Sequence, residues 1–162
     1  MFSTALENQA EQLLALCRGK GLRIATAESC TGGLIAGLLT AVPGSSDVVE
    51  RGFITYTNEA KQQMLGVPDQ LFEQVGAVSE AVARAMADGA LTHSDADLAV
   101  SVTGVAGPDG GTKAKPVGLV HMAVAVKVGE TRHLRHLFKG ERSAVRLAAV
   151  EAAIRMLSEA AA

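Results

Sequence analysis

Short apolar, β-branched runs alternate along this chain with segments of helical period, and that alternation limits the folds open to it. Residues 22–27, 48–56, 98–102, 117–127 and 131–138 read as strands. Between them lie the helices. Phe2, Leu6, Ala10, Leu13 and Cys17 fall on one helical face, and Arg18-Gly19-Lys20-Gly21 ends that helix. Residues 34–41 form a second helix, and Pro43-Gly44-Ser45-Ser46 is a turn. Thr57 or Asn58 caps a short helix that reaches Leu65. Pro68 opens another to Gln74, Ser79 caps a longer one to Thr92, and residues 141–161 make an alanine-rich closing helix. Interleaved elements of this kind predict an α/β protein of three layers, α/β/α, with helices on both faces of a mixed, mostly parallel sheet. A hairpin at Val128-Gly129-Glu130 supplies the antiparallel part. Residues 1–162 read as a single domain without repeats or linkers.

Composition narrows the function classes. Aromatic residues are 3% of the chain and the net charge is −2, which excludes the basic, stacking surface of a nucleic-acid binder. No apolar run approaches the roughly 20 residues of a membrane helix, so no membrane partner is expected. Residues 1–20 carry Glu7 and Glu11 and lack the layout of a secretory signal. Cys17 and Cys30 do not make a disulfide framework, which fits a reducing cytoplasm. The four histidines suggest no metal site: His133 and His136 are three apart on a strand and face opposite ways, and His93 and His121 stand alone. No metal and no cofactor are expected.

Two glycine-rich loops follow strands, where open α/β sheets bind ligands. The first, Glu28-Ser29-Cys30-Thr31-Gly32-Gly33, leads into a helix whose free amides can hold an anion or a developing oxyanion. Ser29 sits at the turn, where a nucleophile stands clear of the strand. Ser29 or Thr31 can equally be a plain helix cap. Cys30 is a rival nucleophile, though a small buried cysteine is the commoner use. The second loop, residues 103–111, can wrap a phosphate or ribose through Thr103, Gly104 and Gly107.

Tyr56-Thr57-Asn58-Glu59-Ala60-Lys61 places a lysine in the first turn of a helix, the wrong end for a cation. The dipole supplies about 0.3–1 kcal/mol, less than one pK unit. A lysine base near neutrality therefore also needs burial or a neighbouring cation, with Arg51 or Arg142 available. Most lysines are simply solvated.

In order and spacing, Thr26-Ala27-Glu28-Ser29-Cys30-Thr31-Gly32-Gly33, Pro43-Gly44-Ser45-Ser46 and residues 51–61 resemble the CinA carboxy-terminal domain family. So do Gly76-Ala77-Val78-Ser79-Glu80, residues 101–111 and Lys115-Pro116-Val117-Gly118. The resemblance covers almost the whole chain. It implies an amidohydrolase of pyridine nucleotide salvage in the bacterial cytoplasm, which turns nicotinamide mononucleotide and water into nicotinic acid mononucleotide and ammonia. Longer family members carry a further amino-terminal domain, which is expected to be missing here.

On that reading Ser29 attacks the carboxamide, Lys61 takes and returns the proton, and Tyr56 orients or relays it. Ser46, in a matching motif, is the alternative nucleophile or a hydrogen-bond partner of Lys61. Thr31, Gly32, Gly33 and Asn58 would line the substrate. Thr103, Gly104, Gly107 and Arg142 would hold its phosphate. The partner is a small pyridine nucleotide, and base rates allow a homodimer. Two rivals stand beside this: a non-catalytic nucleotide-binding or competence-related regulatory module, and a hydrolase of another small amide.

Overall fold

A computed structural model describes all 162 residues. The strands are β1 (Ile24–Glu28), β2 (Val49–Ile54), β3 (Leu98–Gly104), β4 (Leu119–Val126) and β5 (Arg132–Leu137). The helices are α1 (Thr4–Lys20), α2 (Leu34–Ala41), α3 (Asn58–Leu65), α4 (Asp69–Gln74), α5 (Glu80–Thr92) and α6 (Arg142–Ala161), with a 3-10 turn at Ser45–Asp47. Local chemistry sets the boundaries as expected. Thr57 and Ser79 accept from the Ala60 and Val82 amides, and Gly21 closes α1 at φ 65°.

The sheet order is β2-β1-β3-β4-β5. β1 lies parallel to β2 and β3, whereas β3–β4 and β4–β5 are antiparallel. The sheet is thus evenly mixed rather than mostly parallel. The cause is the connection over residues 105–118, which forms no helix and brings β4 straight back beside β3.

Strand alternation divides the side chains between two cores. Ile24, Val100, Val102, Val120 and Met122 join the cluster with α1, α2 and α6. Ala25, Ala27, Phe53 and Ala99 pack under α3 and α5 with Leu65, Val82 and Met86. Ala83 and Ala87 of α5 meet Ala123 and Ala125 of β4, and these small pairs let the helix lie close on the sheet. No helix is long and apolar enough to cross a membrane.

The α3–α5 crossing rests on Gly89, where a Cβ would stand 2.0 Å from the Leu65 carbonyl oxygen. Gly→Ala inside a helix gains at most about 1 kcal/mol of propensity. Overpacking against backbone costs about 1–3 kcal/mol. Gly89→Ala is therefore expected to lower the denaturant midpoint, and an unchanged or raised midpoint would contradict this packing.

Candidate active site

Ser29 is the residue that leaves the carboxyl end of β1. Glu28 is in register with Ile54 and Val102, so Ser29 emerges between β2 and β3, its amide donating to Val102 O at 3.0 Å. Glu28 turns the other way and is fully buried. Its carboxylate accepts from the Ile35 and Ala36 amides at 2.9 and 3.0 Å, and from Thr26 Oγ1 at 3.2 Å. The N-cap of α2 is Gly33, which has no side chain to offer, and Glu28 caps the helix from seven residues upstream.

That cap corrects the expectation that the first amides of α2 receive an anion. Ile35 and Ala36 are bound by Glu28, and Leu34 N donates to Thr31 O at 3.1 Å. The amides that donate to no backbone carbonyl lie earlier, at Cys30, Thr31 and Gly33. Gly32 is not among them, since its N–H donates to Ser29 O at 3.0 Å.

Lys61 enters from α3 and is 1% exposed. Its Nζ lies 3.0 Å from Ser29 Oγ, 2.9 Å from Thr55 O and 3.2 Å from Tyr56 O. No carboxylate is among these partners. Burial pushes the amine below the ordinary lysine range, and the Cys30 thiol is the only opposing influence. That thiol is itself pushed up to about 11 by burial, so it is uncharged at neutral pH and a poor rival nucleophile. In these contacts Nζ is the donor to all three oxygens; once neutral, the amine can keep its two carbonyl bonds and turn its lone pair to the Ser29 hydroxyl proton. The depression comes from burial, not from a neighbouring cation. Arg51 is tied to Glu50 and His93 O, and Arg142 is tied to Tyr56 and Gly107.

The other expected residues fall into place unequally. Tyr56 is 59% exposed, and its hydroxyl accepts from Arg142 Nη2 at 3.1 Å. It touches Lys61 only through its main-chain oxygen, so its phenol is not in a relay with Ser29. Arg142 Nη1 donates to Gly107 O at 2.9 Å, so the side chain spans the loops after β2 and β3. A cavity of about 480 Å³ adjoins it, lined by Ala106, Pro108, Val117, Gly140, Glu141 and Ser143. Thr103 is buried and donates to Ala77 O at 2.9 Å, and Gly104 packs on Val120. Asn58 is exposed at the start of α3.

Ser46 is the clear correction. It is exposed in the 3-10 turn that precedes β2, at the amino end of the sheet, whereas Ser29 and Lys61 meet at the carboxyl end. Nothing in the chain joins Ser46 to Lys61.

Two of the histidines form a half-buried pair. His121 Nδ1 and His133 Nε2 are 2.9 Å apart beside Glu80, and His136 stacks on Phe138 across the sheet. No three His, Cys, Asp or Glu side chains converge as a metal cage would.

Three contributors were not foreseen. Glu28 caps α2, and the Thr55 carbonyl receives Lys61. Arg146 of α6 donates from Nε to Cys30 O at 3.0 Å and from Nη2 to Thr31 O at 3.2 Å. The one available signal for Arg146 was its place four residues after Arg142, on the same helix face. Thr31 Oγ1 and Thr55 Oγ1, both buried, have no protein partner.

With this geometry in hand, comparison with known proteins is specific. The CinA C-terminal domain family matches residues 6–161. The nicotinamide-nucleotide amidohydrolase PncC of Escherichia coli K12 is 48% identical, over 97% of this chain and 95% of that protein. A putative competence-damage inducible protein of Caldicellulosiruptor bescii is also 48% identical, but the chain spans only 36% of its length. The crystal structure of competence/damage inducible protein CihA from Agrobacterium tumefaciens superposes with a TM-score of 0.95 at 49% identity, covering 97% of this chain and 96% of that one.

The Lys61 environment makes a prediction about stability. The folded chain holds this amine below its unfolded value of about 10.4. Between the two values the unfolded chain binds more protons, so stability rises with pH across that interval. Wild type minus Lys61→Met stability is expected to grow as pH rises toward about 10.4, read from denaturant midpoints. A difference that is flat or falls with pH would mean that the amine is buried charged.

Proposed function

Because the chain belongs to the CinA C-terminal domain family, we propose that it is a nicotinamide-nucleotide amidohydrolase of pyridine nucleotide salvage in the bacterial cytoplasm. The reaction is nicotinamide mononucleotide plus water to nicotinic acid mononucleotide plus ammonia. The nearly full-length identity to the Escherichia coli amidohydrolase supports this substrate. The observation that carries the chemistry is the buried 3.0 Å contact of Lys61 Nζ with Ser29 Oγ, with no carboxylate to hold the amine charged.

The neutral amine takes the Ser29 hydroxyl proton as Oγ attacks the carboxamide carbon. The carbonyl oxygen becomes an oxyanion and accepts from the free Cys30 and Thr31 amides, the two that follow the nucleophile. Lys61 then gives its proton to the leaving nitrogen, and the C–N bond breaks with release of ammonia. Water attacks the resulting Ser29 ester, Lys61 again carries the proton, and the free carboxylic acid leaves with Ser29 restored. Arg142, Gly107 and the adjoining cavity hold the phosphate end.

Ammonia release from the mononucleotide tests this reading directly. Ser29→Ala and Lys61→Ala are each expected to lower kcat by about 10³-fold or more while the fold is kept. A chelator should leave the rate unchanged. Full activity in either variant, or mononucleotide binding by calorimetry with no ammonia released, would overturn it, the second in favour of a non-catalytic binding module.

The pH profile is a separate test. kcat/KM is expected to rise with one deprotonation whose midpoint lies below the ordinary lysine value of about 10.4. Free nicotinamide, which cannot reach Arg142, should be the poorest substrate. A profile independent of pH from 5 to about 10 would remove Lys61 as the base.

A further inference from the structure

We infer that Arg146 is a positioning residue that sets the direction and donor strength of the Thr31 amide, and so builds the oxyanion site from behind. The inference rests on the amidohydrolase reading and deepens it.

The peptide unit is planar and trans, so each carbonyl points opposite to the amide of the next residue. Pinning a carbonyl therefore aims an N–H. Ser29 O is pinned by Gly32 N–H at 3.0 Å, which fixes the plane carrying the Cys30 amide. Cys30 O is pinned by Arg146 Nε at 3.0 Å, which fixes the plane carrying the Thr31 amide. Arg146 Nη2 holds the next carbonyl, that of Thr31, at 3.2 Å. The amides aimed in this way, at Cys30 and Thr31, are the two directly after Ser29, and neither donates to a backbone carbonyl. One guanidinium thus braces two successive peptide planes, which the single nitrogen of a lysine cannot do.

The guanidinium stands behind the loop and touches carbonyls, not the nucleophile. A cation on a carbonyl polarises the peptide it belongs to and strengthens the N–H at its far end. Positive charge is thereby delivered to the oxyanion position while the cation stays on the other side of the loop, away from Lys61, which must remain neutral to act as the base. Gly32 makes room for the approach. Its φ is +58°, and a Cβ there would stand 3.3 Å from Arg146 Nη2. Its backbone freedom thus serves the arginine as well as the tight turn.

The test compares wild type with Arg146→Met, Arg146→Lys and Arg146→Ala. Ammonia release should fall about 10–100-fold in kcat, a partial loss of an oxyanion donor, with KM changed by less than about threefold. Guanidinium at sub-denaturing concentration should restore much of the rate to Arg146→Ala, and methylammonium should not. Arg146→Lys should resemble Arg146→Met. Labelling of Ser29 by a fluorophosphonate, whose phosphoryl oxygen takes the oxyanion position, should slow in parallel and does not depend on the natural substrate. Unchanged kcat and labelling in a folded Arg146→Met variant overturn the inference, as does a raised KM with kcat kept. If that variant does not fold, Arg146→Lys and the guanidinium rescue decide. Labelling slowed in the variants of a protein that releases no ammonia would keep the role of Arg146 and sink the substrate assignment. Neither turnover nor labelling in the wild type sinks both.

Discussion

A lysine amine shut away from water beside a serine hydroxyl, with only carbonyl oxygens for company, is the constraint around which this structure is arranged. Burying an ammonium without a carboxylate is costly, and that cost lowers the hold of the amine on its proton. The neighbours avoid reversing this. Glu28, the nearest buried carboxylate in sequence, is spent on the amides of α2. The Cys30 thiol stays protonated. Arg51 and Arg142 are engaged elsewhere, so no cation sets the amine's state either.

The fold supplies this arrangement through its sheet edge. Two parallel pairings line up the ends of β1, β2 and β3, so that the residue after β1 lies between the backbones that follow β2 and precede the long loop. β2 runs into Thr55 and Tyr56, whose carbonyls receive Lys61, and Thr57 at once starts the helix that carries it. Loop, helix and base are thus separated by only a few residues. The long return over residues 105–118 gives up a crossover helix and leaves Gly107 facing Arg142. Two arginines one turn apart on α6 then serve different parts of the edge: Arg142 ties the outer loops together, and Arg146 grips the turn that follows Ser29.

The element pattern was legible because period and punctuation are local properties. Apolar alternation, the Thr57 and Ser79 caps and the Gly21 stop each act within a few residues, and each stands where it was expected. Ser29 and Lys61 could be named because their motifs mark the end of a strand and the start of a helix. That β4 returns antiparallel was hidden, since nothing in residues 105–118 states which way the chain turns back.

What the chain order alone determined was therefore the kind of protein and a short set of candidate reactive groups, with Ser29 and Ser46 both among them. Which groups meet was decided only in three dimensions, since hydrogen bonds and burial join residues far apart in sequence. Ser46 matches a motif as well as Ser29 does, yet α2, which lies between them, carries the chain back so that Ser46 sits at the opposite end of the sheet. Tyr56, two residues beyond β2, turns its side chain out toward Arg142 while its carbonyl accepts from Lys61. The lowered proton affinity of the lysine has the same origin: it depends on how much water the folded chain leaves around the amine, and that quantity exists only after packing.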